Sequence, residues 1–87
     1  MMTLKQLLQN EPIENLVDVA NELATGVVPA TGYAHEYCRK VNGMIDAGLL
    51  CINVTNYRRV YLPTLAKEVH REMTRRYLEY LHNYKEA

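Results

Sequence analysis

Apolar residues recur along most of the chain at the spacing of a helix, and the breaks between runs fall on residues that cap or stop helices. Thr3 opens the first run, and Gln6 stands where the reciprocal partner of a capping box belongs. Leu4, Leu7 and Leu8 follow as one stripe, which Asn10 ends. Pro12 suits the first turn of a second helix, where its missing N–H is not needed. Ile13, Leu16, Val17, Ala20, Leu23 and Ala24 form the stripe of that helix, and Gly26 is a suitable C-terminal cap. Its outer face is acidic. Val27 to Ala30 reads as a connector, because Pro29 disfavours helical backbone at Val28. A third helix begins at Thr31 or Gly32, with Tyr37, Val41, Met44 and Ile45 inward and Ala34 or Cys38 beside them. Gly43 inside it costs about 1 kcal/mol relative to alanine, which suggests close backbone packing there. Gly48 terminates it.

The period then changes. Leu50, Ile52 and Val54 alternate with Cys51 and Asn53, as in a half-buried strand. Thr55 to Arg59 is polar, and Asn56 tolerates the left-handed backbone of a hairpin turn. Val60, Tyr61 and Leu62 return as a second strand that Pro63 stops. Thr64 caps a long last helix. Its stripe runs through Leu65, Val69, Met73 (or Glu72), Tyr77 (or Arg76), Tyr80 or Leu81, and Tyr84, with Lys67, Arg71 and Arg75 on another face. The expected fold is mainly α within an α+β class, in the order α-α-α-β-β-α. One domain spans residues 1–87: a core over 1–63 with a hairpin at 50–62, then a C-terminal helix over 64–87.

Eighty-seven residues lie near the lower size limit for a self-sufficient core, so a dimer interface is a natural supplement. Formal net charge is zero, yet the charges are not spread evenly. Residues 1–30 hold Lys5 against Glu11, Glu14, Asp18 and Glu22, a net of −3. Residues 31–76 hold eight Lys and Arg against four Asp and Glu, a net of +4, and residues 77–87 carry −1. Such polarisation steers an anionic partner, although solvated helix faces produce the same tally. Cys38 and Cys51 do not make a disulfide framework. The start lacks a basic region followed by an apolar stretch, and no apolar run reaches membrane-spanning length. A cytoplasmic protein with reduced thiols and no membrane partner is expected.

The outward residues of the third helix are Tyr33, His35, Glu36, Arg39, Lys40, Asn42 and Gly43. Donors, acceptors and positive charge together are the chemistry that reads base edges and touches phosphates. An ordinary amphipathic helix has a polar outside too. His35 and Cys38, with Cys51, His70 and His82 elsewhere, lack the paired spacing of a zinc site, so no metal is expected. Neither a phosphate-cradling glycine loop, a nucleophile with its base, nor a close carboxylate pair appears. The chain reads as a non-enzyme without a cofactor.

At Met44-Ile45-Asp46-Ala47-Gly48-Leu49-Leu50, and again at Tyr57-Arg58-Arg59-Val60-Tyr61-Leu62-Pro63-Thr64, the chain resembles winged helix-turn-helix proteins. It looks most like regulators of the multiple-antibiotic-resistance (MarR) type. The resemblance covers roughly residues 13–66, and the final helix matches in position alone. The connector from Gly26 to Thr31 is longer than the tight turn of a regular helix-turn-helix, and net charge is lower than usual for the family. The resemblance implies a small transcriptional regulator or DNA-architecture factor on duplex DNA. Tyr33, His35, Glu36, Arg39 and Lys40 would enter the major groove, with Arg39 on guanine and Lys40 on phosphate. Arg58 and Arg59, with Tyr57 beside them, would meet phosphates or the minor groove. Charges at a hairpin also guard sheet edges. Val69, Met73, Tyr77, Tyr80, Leu81 and Tyr84 make a candidate homodimer seam. Winged-helix domains also bind proteins or RNA, so an adaptor or small inhibitor docking on a protein partner is the alternative.

Overall fold

A computed structural model describes residues 1–25, 32–52 and 62–86. In chain order it contains β1 (Met2–Thr3), α1 (Leu4–Gln9), α2 (Ile13–Ala24), α3 (Tyr33–Asp46), β2 (Leu50–Cys51) and α4 (Leu62–Glu86). The fold is mainly helical with one small sheet. The expected hairpin turn, its second strand up to Tyr61, the Gly26 cap and the 27–31 connector lie outside the described residues.

Local chemistry accounts for most helix ends. The Thr3 hydroxyl accepts from the Gln6 N–H at 3.1 Å, and the Gln6 side chain accepts from the Thr3 N–H at 2.9 Å. That closes the expected capping box around α1. Asn10 is its C-cap. Pro12 sits one residue before α2 rather than in its first turn, and its carbonyl accepts from the N–H groups of Asn15 and Leu16. At the end of α3 the Gly48 N–H reaches the Ile45 carbonyl at 3.0 Å, and the Leu49 N–H reaches Met44 at 2.8 Å. This double closure needs a left-handed residue, and Gly48 has φ +74°.

Pro63 and Thr64 have other places than the pattern suggested. Leu62 is the first residue of α4, not the last of a strand, and it packs against the core. Proline is tolerated in the first turn of a helix because its nitrogen has no helical acceptor there. A proline that would stop a strand therefore serves equally to start a helix, and Thr64 falls inside α4.

β2 pairs in parallel with β1, Met2 opposite Leu50 and Thr3 opposite Cys51. Its partner among the described residues is thus the N-terminus. The sheet joins the N-terminal end of the chain to the segment that follows α3, and Leu50 is buried while Cys51 is exposed, as the alternation requires.

The core gathers Leu4, Leu7 and Leu8 of α1, Leu16 and Val19 of α2, and Ala34, Tyr37, Cys38 and Val41 of α3. Leu50 from β2 and Leu65 and Val69 from α4 complete it. Val19 was not part of the expected α2 stripe, whereas Ile13 and Val17 were, and they are exposed. The core meets the edge of that stripe rather than its centre. Tyr37 is buried, and its hydroxyl has no hydrogen-bond partner among the described residues. Burial, and then the negative charge of Glu11, hold it well above the usual tyrosine pKa.

Candidate nucleic-acid interface

Burying Ala34, Tyr37, Cys38 and Val41 turns the opposite side of α3 to solvent. Glu36, Arg39, Lys40 and Gly43 stand three or four residues apart on that side, and all are exposed. Helical geometry places Tyr33 at the Lys40 edge and His35 at the Arg39 edge. Tyr33 is exposed and its ring lies 6.1 Å from that of Tyr37, while His35 is half-buried. The sequence-predicted residues of α3 therefore do share one surface. Tyr57, Arg58 and Arg59 lie outside the described residues.

Gly43 lies near the middle of this surface. A Cβ added there would meet nothing within 4 Å. Among the described residues the expected close packing is absent, and the bare backbone faces outward instead.

The first turn of α3 is closed by a carboxylate from another helix. Glu22 of α2 accepts from the Tyr33 N–H at 2.8 Å and also from the Ala34 N–H. Gly32, the N-cap residue, has no side chain to do this. Two donors that a phosphate could otherwise use at this helix end are already satisfied by an anion. Contacts from α3 to a polyanion would thus come from side chains along its length.

The cations of α4 are of another kind. Arg71 pairs with Glu68 at 3.1 Å, and Arg75 with Glu72 at 2.7 Å and Glu79 at 2.6 Å. Arg76 is not part of a solvated basic face. Its Nη2 donates to the carbonyls of Leu8, Gln9 and Glu11 at 2.8, 3.1 and 2.7 Å, just past the end of α1. Its Nε lies 3.7 Å from Glu72, the one charged residue buried among those described. Arg76 serves the fold, and sequence reading missed this because its acceptors stand more than sixty positions away. By contrast Arg39 and Lys40 form no ion pair among the described residues, although Glu36 lies three and four positions before them.

Of the residues expected at a dimer seam, Val69 is 1 % exposed and belongs to the protomer's own core. Met73 and Leu81 are half-buried, and Tyr77, Tyr80 and Tyr84 are exposed. Burial raises the pKa of the Cys38 thiol, partly offset by the Asn42 amide 3.7 Å from its sulfur, which disfavours the reactive thiolate. Among the described residues no three His, Cys, Asp or Glu side chains converge on a possible metal position. No helix among them is long and apolar enough to cross a membrane. No protein-family model, curated protein or solved structure matches the chain.

Proposed function

We propose that the protein binds duplex DNA through the outer face of α3, as a winged-helix-type regulator or DNA-architecture factor. The observation that supports this best is the pair Arg39 and Lys40. They are exposed, without ion pairs among the described residues, and set around the bare backbone of Gly43. Arginine offers a bidentate fork to guanine, lysine a point charge to phosphate, and an uncovered glycine lets a groove edge approach closely. Arg58 and Arg59 follow in the chain and supply further positive charge for the phosphates. Glu36 and Asp46, exposed on the same helix, make its face mixed rather than basic, and they favour a protein partner as the second reading.

A salt titration of duplex binding tests this. Affinity should fall steeply with salt; Lys40→Ala should lower the slope of log affinity against log salt by about 1, and Arg39→Ala should cost about 1–3 kcal/mol and relax specificity at one base pair. Arg71→Ala, which removes an exposed arginine already paired with Glu68, should leave that slope nearly unchanged. Absence of duplex binding at low salt sinks the DNA reading and leaves the protein-docking one. Tighter binding of a hairpin RNA than of duplex DNA in the same titration would redirect it to RNA.

A further inference from the structure

A second set of cations lies where α1, β2 and the first turns of α4 meet, and no described residue of α3 belongs to it. The cleft there has a volume of about 690 Å³, within the range of small-molecule sites. Lys5 reaches it from α1, and Lys67 and Arg71 from α4. Glu68 is the one carboxylate on its wall among the described residues. Three cations against one anion leave the cleft at +2, in a chain whose net charge is zero. A smaller recess of about 230 Å³ adjoins it and shares Lys5, Glu68 and Arg71.

Neither Lys5 nor Lys67 has an ion pair among the described residues. Lys67 and Arg71 stand four residues apart on one helix face, so they repel each other until an anion lies between them. Arg71 gives its Nη1 to Glu68 at 3.1 Å. That bond holds the guanidinium in place and leaves its Nε and Nη2 donors without a partner among the described residues. α4 begins at the cleft with no acidic residue in its first turn, so the helix dipole adds to the same sign. The rest of the wall is largely apolar, with Leu4, Ile52 and Pro63.

We propose that this cleft binds a small organic phosphate, with the phosphate group held by Lys5, Lys67 and Arg71 and the body of the molecule laid against Ile52 and Pro63. Charge selects the class. A phosphate monoester carries about −1.5 to −2 at neutral pH and offers three acceptor oxygens, which answers both the excess charge of the cleft and its three cationic side chains. A carboxylate, with a single charge and two oxygens, leaves one cation unanswered. Each phosphodiester of a nucleic-acid strand also carries a single charge. Hydrogen bonds between ionised partners are the short, strong ones, so a dianion here meets three of them. The apolar wall supplies no donors for a second phosphate and suits a ring or an alkyl group instead.

Phenyl phosphate is the probe. Titrated into the full chain at low salt and about pH 8, where the ester is a dianion, it should saturate the protein at millimolar concentration. The amide signals of Lys5, Thr64 and Lys67 should shift, and those of Arg39 and Lys40 should not. Phenyl sulfate, with the same ring and one charge fewer, should bind at least about tenfold more weakly. Lys5→Gln and Lys67→Gln should each weaken phenyl phosphate binding by about tenfold. Both should keep the helical circular dichroism, since both side chains are exposed, and both should leave duplex DNA affinity unchanged. No saturable binding, equal affinity for the sulfate, or full affinity in both lysine variants would overturn the proposal. So would a loss of duplex affinity in the lysine variants together with displacement of the ester by duplex, which would assign the cleft to a nucleic-acid strand. A chain that binds no DNA can still pass this test, so the two readings fail separately.

Discussion

Arg76 ties the two ends of the chain together. Its guanidinium satisfies carbonyls of Leu8, Gln9 and Glu11 where α1 has run out of helical donors, and it lies beside the buried Glu72. Hydrogen bonds from a charged donor contribute more than neutral ones, and removing one member of a buried set leaves the other without compensation. Arg76→Ala should therefore lower unfolding free energy by about 2–4 kcal/mol in a urea titration. Arg76→Lys should recover less than half of that loss, because one ammonium cannot reach the α1 carbonyls and Glu72 together. Arg71→Ala, which breaks only an exposed pair, should cost at most about 1 kcal/mol. Equal losses for Arg71→Ala and Arg76→Ala would show that the carbonyl contacts contribute nothing.

At the scale of one element, α3 and its end contain two glycines with opposite roles. Among the described residues neither has a neighbour within 4 Å of an added Cβ, so backbone conformation governs the expected effect of a side chain. Gly43 is inside the helix, and Gly43→Ala should stabilise the protein by about 1 kcal/mol through helix propensity. Gly48 holds φ +74°, and Gly48→Ala should destabilise it by about 1 kcal/mol because a Cβ is strained there. Thermal melts of the two variants should shift in opposite directions. If Gly43→Ala stabilises the fold yet weakens duplex binding, the bare backbone belongs to the contact surface.

Elements were legible in the sequence where their causes are local. The capping box joins Thr3 to Gln6, three positions apart, and the Gly48 turn closes on Ile45 and Met44. The inward and outward sides of α3 follow from its period alone. The start of α3 was read to within a residue or two, but its cap was not legible, because it is Glu22 on another helix, eleven and twelve positions earlier. Nor was β1, whose two residues are too few to show a period. In α2 the apolar stripe is wider than the core it meets. Periodicity finds such a stripe, but the neighbouring helix decides which edge is buried, and Val19 went inside while Ile13 and Val17 stayed out.

For the whole molecule, α4 divides into two parts with different duties. Leu65, Val69, Glu72 and Arg76 hold the monomer together, and all lie in its first fifteen residues. From Tyr77 onward the described side chains are exposed or half-buried, and the 25-residue helix is about 37 Å long, far more than α1 can cover. A chain ending at Arg76 should thus keep the core, and the exposed ion pair between Arg75 and Glu79 that it loses is worth at most about 1 kcal/mol. If the tyrosine face pairs two copies, as the sequence pattern suggests, association adds a second contribution that depends on concentration, since it stabilises by mass action. The full chain should melt at higher temperature as its concentration rises, and the shortened chain should not. At dilution the two melting temperatures should converge to within a few degrees. A shortened chain that is unfolded even when dilute would show that residues 77–87 are part of the monomer fold, whereas two parallel, concentration-independent melting curves would show that the tyrosine face stays in water.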